Sequence, residues 1–520
     1  MTPHAVKFSP FVLSLLLTGA LVGAAQAQDA AQAPAGGNGE AAKKLTWSLS
    51  QETWALPDNE RMGMVGGRVL MDVLPHLQLG VASYGAVRGE RGGFITLGGE
   101  AQTRWPLGAR HDLVGGLFVG GGGGRDGRTL AGGGLMLRTH LGVEQQLGSG
   151  HRLGLGVSHV DFPDGRIRST QPYLSYAYDF DSHLYGGWPQ RLDLRSSDTA
   201  WLSEQEFAVT GRHYQFARGV TRDDGVSPQH RSLQLLGAQW TGYLSPHWFV
   251  TLEAEGALGG QNSGYMQILP GLGYRLPLST HQMLKLHASL GPAGGGGADT
   301  GGGTLTDVGV SWQMRLLPRQ SLELTLSDVR APSHSFHATS VGIKWVHHLQ
   351  RPAGDIPVDG LDTERLRMRL VNQTYRGASA DWRCCYPEQR VDNLGLQLDY
   401  MLSPVSEARQ WFLSGQGLAA YKGQAGAYMT GLVGGGVHQR LSERWHAEAE
   451  ALVGAAGGGG LRTGGGLVAQ VNAGLGYQLT PRLALLASLG RMQAVHDSFK
   501  ANVLGLSAVY RFSAVSVAKP

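Results

Sequence analysis

The sequence is poor in charge and in cysteine. Only 16% of its 520 residues are charged, and its two cysteines, Cys384 and Cys385, are adjacent. A zinc site needs more ligands than this pair and a wider spacing between the cysteines. Basic and acidic residues nearly cancel, 44 against 40, which gives no support for a nucleic-acid partner. We therefore expect no metal, no cofactor and no nucleic acid.

Long apolar runs are also missing beyond the N-terminus. The one clear apolar stretch, Phe11–Ala25, follows His4 and Lys7 and precedes a small-residue cleavage site. This pattern is typical of a secretory signal peptide, which we place at residues 1–27, followed by a flexible leader at residues 28–43. No later run is long enough for a membrane-spanning helix. The sequence therefore predicts an exported chain that is either soluble or a β-barrel.

Glycine is abundant, with 80 residues, and it is concentrated in three similar runs. They read FVGGGGGRDGRTLAGGG at Phe118–Gly134, GGGGADTGGG at Gly294–Gly303 and GGGGLRTGGG at Gly457–Gly466. The first run, GGGGGRDGRT, lacks the Gly-Lys-Ser/Thr ending of a phosphate-binding loop and does not lead into a helical pattern. A glycine-rich run that recurs three times at similar spacing indicates an internal repeat.

The sequence on both sides of the glycine runs stays in register among three copies. This alignment divides the chain into β repeats at 44–180, 207–348 and 365–512, periplasmic linkers at 181–206 and 349–364, and a C-terminal tail at 513–520. Each copy contains eight candidate strands, joined alternately by short turns and by longer polar loops. This asymmetry is typical of transmembrane β-barrels.

Side chains alternate along the candidate strands. Over Leu467–Leu479 one face is mostly apolar, and the other carries Gln470 and Asn472. A strand between hydrocarbon and a lumen must alternate in this way. A half-buried strand of a soluble protein alternates too. The export signal, strands near ten residues and the lack of a helical pattern favour the membrane. We predict an all-β fold, a transmembrane antiparallel β-barrel built from three eight-strand repeats.

The last repeat ends in LSAVYRF, with Leu506, Ala508, Tyr510 and Phe512 at alternate positions. This ending, together with the export signal and the alternating strands, resembles Gram-negative outer-membrane β-barrel proteins. The resemblance implies an outer-membrane location, contact with membrane lipid and lipopolysaccharide, and recognition of Tyr510 and Phe512 by the barrel-assembly machinery. The chain departs from the pattern because SAVSVAKP follows Phe512. The oligomeric state stays open.

Three units of eight strands close either as one barrel of about 24 strands or as three tandem eight-stranded barrels. Long linkers and small inward residues favour three barrels, since narrow lumens are filled by side chains. The middle copy, however, ends in His347-His348 and has no aromatic assembly signal of its own. We expect one barrel and keep three as the alternative.

Two groups of residues are candidates for functional positions. The lumen-facing candidates are Arg138, His140, Glu144, Asp307, Arg315, Gln470 and Asn472. The candidates for a glycine-rich outer rim are Gly120, Gly124, Gly134, Gly294, Gly303, Gly457 and Gly466. Lumen charges tune selectivity in wide barrels and form interior ion pairs in narrow ones. The glycines form either kinked hairpins without a ligand or a threefold rim that closes the mouth.

Cys384 and Cys385 can form a disulfide in an exported chain, and free or locally paired thiols are the favoured alternative. No Ser, His and carboxylate spacing is distinctive, so we do not expect an enzyme. The sequence favours a pore or export conduit for solutes or a polymer. The alternative is a non-conducting structural or surface-display protein of the outer membrane with glycine-rich outer loops.

Overall fold

The computed structural model describes residues 43–182, 184–188, 204–332, 334–350, 361–384, 388–404 and 406–517. The predicted signal peptide and all but the last residue of the leader lie outside these residues, as do parts of both linkers and the end of the tail. Among the described residues, no helix is both long and apolar enough to cross a membrane.

The first eight strands form a closed antiparallel barrel, barrel 1, in which each strand pairs with its neighbours in sequence. The strands are β1 Lys44–Ala55, β2 Arg61–Leu74, β3 Leu77–Arg88, β4 Ile95–Pro106, β5 His111–Gly123, β6 Met136–Gly148, β7 His151–Asp161 and β8 Arg168–Asp181. Pairing of β1 with β8 closes the sheet. A short helix, α1 Gly127–Ala131, lies in the loop between β5 and β6. The following strand, β9 Leu184–Gly186, belongs to the first linker.

Barrel 2 repeats this arrangement and closes through its first and last strands. Its strands are β10 Glu204–Phe216, β11 Ser232–Tyr243, β12 Trp248–Gly259, β13 Met266–Pro277, β14 Gln282–Gly294, β15 Thr304–Leu317, β16 Gln320–Arg330 and β17 His337–Gln350.

Barrel 3 is closed by pairing of its first strand with its last. Its strands are β18 Leu361–Gly377, β19 Arg390–Met401, β20 Arg409–Lys422, β21 Met429–Arg440, β22 Trp445–Gly457, β23 Leu467–Gln478, β24 Leu483–Ala494 and β25 Lys500–Val517. The linker strand β9 adds to the end of β25, so the chain between barrels 1 and 2 is hydrogen-bonded to barrel 3.

This pairing contradicts the expectation of one barrel of about 24 strands and agrees with the alternative of three tandem barrels. The physical reason is that β8, β17 and β25 each find their hydrogen-bonding partner in the first strand of their own repeat. An eight-stranded barrel leaves an interior just wide enough for side chains to fill, and the small inward residues suit that width.

The strands alternate as the sequence predicts, with apolar side chains outside and polar ones inside. On β6, Leu141 is 60% exposed and Leu155 on the next strand is 64% exposed, while Arg138 is fully buried. On β23, Val471 is 56% exposed and Gln470 is 1% exposed. Exposed apolar side chains outside closed barrels are expected where hydrocarbon, not water, surrounds the strands.

The two ends of the barrels differ. At one end, the short-turn end, exposed tryptophans lie beside turns; these are Trp105, Trp248, Trp411 and Trp445. Tryptophan is enriched at the level of lipid headgroups, so these rings mark a membrane interface. The other end, the loop end, carries the longer connections, including all three glycine runs.

The three barrels pack in a ring. The third strand of each barrel contacts the fifth strand of another, in the pairs β3 with β14, β12 with β22, and β20 with β5. One kind of contact repeated head to tail closes into a threefold ring when the rotation per unit allows it. The single chain therefore has the internal arrangement of a cyclic trimer.

Candidate functional site

The interior of barrel 1 is filled by ion pairs. Arg138 Nη2 lies 3.0 Å from Glu52 Oε2, and neither side chain has any exposed surface. Ser158 Oγ donates to the same carboxylate at 2.6 Å. One layer away, Arg68 Nη1 lies 3.0 Å from Glu100 Oε1. Buried charges persist only when paired and hydrogen-bonded, and here the partners come from different strands across the lumen.

A second ionic layer lies toward the short-turn end of barrel 1. Arg104 lies 3.3 Å from both Glu144 Oε2 and Asp179 Oδ2. Arg152 Nη2 contacts the same Asp179 oxygen at 2.7 Å and also pairs with Asp112. These side chains occupy the volume through which a solute would have to pass.

Barrels 2 and 3 have equivalent fillings with different residues. In barrel 2, Arg212 reaches Glu253 at 2.6 Å and Asp307 at 2.7 Å, and Lys285 reaches Glu206 at 2.7 Å. All of these side chains are at least nine-tenths buried.

In barrel 3, Arg367 and Arg369 share two carboxylates. Arg367 contacts Glu448 at 2.5 Å and Asp399 at 2.9 Å, and Arg369 contacts Asp399 at 2.6 Å and Glu448 at 3.0 Å. His438 Nδ1 lies 2.8 Å from Glu448. Like the other two fillings, this network ties strands on opposite sides of the lumen together.

Each lumen is also blocked near the loop end by buried aromatic side chains. Their rings lie 5.8 to 6.5 Å apart, within the usual range for aromatic pairs. The rings are Trp54, Phe94 and Phe162 in barrel 1, Tyr214, Tyr265 and Phe336 in barrel 2, and Tyr375, Trp382 and Phe499 in barrel 3. Several of these rings come from the loops, so the loops fold into the barrel mouths.

The structure places the lumen-facing candidates as follows. Arg138, His140, Glu144, Asp307, Gln470 and Asn472 are buried inside their barrels, and Arg315 is half-buried near the short-turn end of β15. Asn472 donates to Glu450 at 2.8 Å, and Gln470 donates to Gln373 at 3.3 Å. The candidates with described partners belong to closed networks and do not line an open passage.

The glycine-rich runs form contacts between barrels. Gly134, Gly303 and Gly466 have φ of +99°, +99° and +104°, a region that favours glycine. A Cβ on each would meet a carbonyl oxygen of another barrel, from Ala420, Ala86 and Ala257 respectively. These alanines occupy equivalent places on the third strand of their barrels, so all three contacts are of one kind. We call each such contact a seam.

Direct hydrogen bonds cross the seams. The N–H of Gly92 donates to Gly301 O at 2.6 Å, and the N–H of Gly426 donates to Gly132 O at 3.0 Å. At the third seam, Ser263 Oγ lies 2.6 Å from Thr463 Oγ1.

Among the remaining rim candidates, two more approach a neighbouring barrel. A Cβ on Gly294 would meet Gly93, and one on Gly457 would meet Gly264. Gly120 and Gly124 approach residues of their own barrel: Gly120 approaches the ring of Phe118, and Gly124 approaches the main chain and Cβ of Phe94.

A central chamber of about 1280 Å³ lies between the three barrels. Its wall consists of outward-facing side chains from all of them, among which are Val81, Leu97, Leu236, Ile268, Leu398 and Val433. The glycine runs line its part at the loop end. The chamber is apolar at membrane depth and polar near the loops.

Charged groups in the loops around the chamber are held by local hydrogen bonds. Bonds to Glu60 and Asp126 raise the pKa of Arg91 above its ordinary value. Hydrogen bonds from the Ser227 hydroxyl and from the N–H groups of Val226 and Ser227 lower the pKa of Asp224 to about 2. Both groups are therefore ionised at neutral pH.

Among the described residues, two sets of groups have ligand atoms close enough to hold a metal ion: the buried residues His438, His446 and Glu448, and the half-buried Glu204 with the buried Glu206 and His348. The first set includes the carboxylate that Arg367 and Arg369 neutralise, and the second includes the carboxylate paired with Lys285. Neighbouring cations oppose a metal ion at both places.

The adjacent serine and histidine residues Ser158–His159 and His334–Ser335 are not arranged as nucleophile and base. Ser158 donates to Glu52, and His159 Nδ1 lies 2.7 Å from Thr170 Oγ1. Ser335 donates to Asp299 at 2.7 Å, with no bond to the adjacent His334 among the described contacts. These geometries do not activate a serine hydroxyl.

Cys384 is disulfide-bonded, and Cys385 lies outside the described residues. Tyr510 and Phe512 lie on β25, where Phe512 pairs with Leu366 and with Gly186 of the linker strand. Strand β25 continues to Val517, so most of the predicted tail extends the last strand.

The sequence analysis missed the chamber and the seams. The signal for the seams was present in the repeated small residues at the ends of the third and fifth strands. Their partners could not be identified, because the contacts join main-chain atoms of repeats far apart in sequence.

No protein-family model matches this chain, and no curated protein does. Among solved structures, the siderophore receptor PirA from Pseudomonas aeruginosa is 10% identical, with 91% of this chain and 81% of that chain covered and a TM-score of 0.27. OccK11 (OpdR) from Pseudomonas aeruginosa is 12% identical, with 91% and 98% covered and a TM-score of 0.21. Scores this low carry no argument about this chain.

The architecture is therefore established by the chain's own features. Closed antiparallel barrels, apolar outside and polar inside, need a hydrocarbon surrounding. The tryptophans beside the turns mark one edge of that surrounding. The chain has the architecture of Gram-negative outer-membrane β-barrel proteins.

Proposed function

We propose that this protein is a non-conducting structural outer-membrane protein that holds three sealed barrels in a ring, with glycine-rich loops joining the barrels at the loop end. The observation that carries this proposal is the filling of all three interiors by buried ion pairs and aromatic rings. A conduit through any barrel would require these charges to separate, and separating a buried pair is costly. A pore would need an open passage through a barrel interior, and these fillings argue against such a passage.

The location and partners belong to the same proposal. The exposed apolar bands support residence in the outer membrane, in contact with its lipid and lipopolysaccharide. The export signal of residues 1–27 and the ending at Tyr510 and Phe512 support secretion and delivery to the barrel-assembly machinery. The function is then structural, with no catalytic step.

Planar-bilayer recording tests the proposal. We expect the full mature chain, inserted in a bilayer, to give no stable ion conductance. Insertion is verified separately by protection of the membrane-spanning strands from added protease. A steady conductance from correctly inserted protein would contradict the proposal.

The rival function is a conduit along the central chamber, since the chamber is the large space between the barrels. Gly415 and Gly431 line it and have open space where a Cβ would point. If conductance is found, the Gly415→Leu/Gly431→Leu variant distinguishes the routes. Reduced conductance would indicate passage through the chamber, and unchanged conductance would indicate passage through a barrel.

A further inference from the structure

We propose that the central chamber binds the acyl chains of a zwitterionic phospholipid, which is retained as part of the ring. The inference rests on the proposed membrane location. It assigns a ligand class to a space that the sealed-barrel function leaves unused.

The chemistry of the wall points to an acyl chain. The strand side chains that face the chamber, such as Leu236, Ile268 and Leu398, are outward-facing residues of membrane-spanning strands. Ser83 supplies the one hydroxyl among these wall side chains in the described part of the chain. Ordered water needs two to four polar partners, so water is a poor filling here.

The size of the chamber requires a filling. Its volume of about 1280 Å³ is larger than the usual range of small-molecule pockets, roughly 300–1,000 Å³. An empty space of this size would leave the side chains of three sheet faces without contact atoms. Gly415 and Gly431 enlarge the chamber, because their positions face open space.

The charges near the loop end select the headgroup. Among the described loop residues that line the chamber, five carboxylates face two arginines; they are Glu90, Asp126, Asp223, Asp224 and Asp299 against Arg125 and Arg128. This acidic excess repels a strongly anionic headgroup such as the phosphorylated one of lipopolysaccharide. An amine-bearing zwitterionic headgroup complements both signs. The chain's own leader, residues 28–42, is the competing occupant from within the molecule.

Lipid retention by the full mature chain tests the proposal. The protein is purified in detergent, washed extensively and examined by native mass spectrometry, with phosphatidylethanolamine vesicles as the source of lipid. We expect phosphatidylethanolamine to remain bound. Gly415→Leu/Gly431→Leu adds eight side-chain carbon atoms to the chamber and so displaces several methylene groups of lipid. Because the loss of about two buried methylene groups already weakens binding about tenfold, retention should fall at least about tenfold.

The matched control is Gly67→Leu, on the outward face of β2, where a Cβ also meets nothing within 4 Å but which does not line the chamber. This variant should retain lipid as the parent does. Absence of bound lipid, equal retention in both variants, or retention of lipopolysaccharide instead would overturn the proposal. Lipid that binds only when residues 28–42 are deleted would identify the leader as the natural occupant and would also overturn it.

The two proposals fail separately. Silence in the bilayer without retained lipid would leave the sealed-barrel function intact and remove the lipid. Retained lipid together with a steady conductance would support the bound lipid and contradict the sealed-barrel function.

Discussion

At the residue scale, the stability of the barrel interiors depends on buried ion pairs, in which each charged side chain is stabilised by a partner of opposite charge. Alternation along β6 correctly placed Arg138, His140 and Glu144 on the inward face. The sequence could not identify Glu52 as the partner of Arg138, because the two residues are 86 positions apart and meet only after the barrel closes.

Replacing Arg138 by alanine should destabilise barrel 1 strongly. The change leaves Glu52 buried and charged without its cation, which costs about 3–5 kcal/mol of unfolding free energy. Urea unfolding in lipid vesicles, followed by tryptophan fluorescence, measures the loss. Arg166→Ala is the matched control, because Arg166 pairs with Asp58 at 4.0 Å on the surface and should cost at most about 1 kcal/mol.

The paired variant Arg138→Met/Glu52→Gln separates charge from packing. It removes both charges. The amide oxygen of the new glutamine can accept from Trp54 Nε1–H, and its NH2 group can donate to the Ser158 hydroxyl. Most of the lost stability should return. If the double variant is as unstable as Arg138→Ala, packing of the guanidinium and not its charge holds the barrel together.

At the scale of elements, the strands were predictable and their closure was not. In the first repeat the sequence predicts a strand over 77–88, where β3 is found, and one over 151–162, where β7 ends at Asp161. Alternation and turn residues act locally, so they locate strands. Barrel closure depends on hydrogen bonds between main-chain groups, which are alike in every residue, so the sequence does not show which strands close a barrel. The ending His347-His348 wrongly suggested that the second repeat has no closing strand of its own.

The glycine hairpins are the elements that join one barrel to the next. Replacing Gly466 by valine forces a side chain into a backbone with φ of +104° and against Ala257 O. Strain of this kind costs about 1–3 kcal/mol, and it acts on the seam between barrels 2 and 3. We expect the seam to open while both barrels stay closed.

A disulfide probe reports on this seam. Ser263→Cys/Thr463→Cys should cross-link under mild oxidation, since the two hydroxyl oxygens lie 2.6 Å apart. Peptide mapping distinguishes the new bridge from the one at Cys384. Adding Gly466→Val should lower the yield, and adding Gly67→Val, on the outward face of β2, should not. An unchanged yield with Gly466→Val would show that the glycine does not hold the seam.

At the scale of the whole molecule, the ring could not be read from the sequence. Repeats indicate three equivalent units but not how they face one another, because a lipid-facing strand and a barrel-facing strand are both apolar outside. Only small residues distinguish a barrel-facing strand from a lipid-facing one. Gly121, for example, lies against the backbone of Ala420 in the neighbouring barrel. The ring also converts part of the lipid-facing surface into the wall of the chamber.

The ring should survive cutting of the chain between its first two barrels. Residues 184–188 hold barrel 1 to barrel 3 through β9 on β25 and through the N–H of Gly187, which donates to Arg511 O at 2.8 Å. Barrel 1 also packs on both neighbours through β3 and β5.

After cleavage at a protease site inserted within residues 189–203, barrel 1 should therefore co-purify with the remainder in mild detergent. Adding Gly134→Val, which strains the seam between barrels 1 and 3, should weaken this association, whereas Gly67→Val should not. Separation of the cut parent protein would mean that the linker, and not the seams, holds the three barrels together.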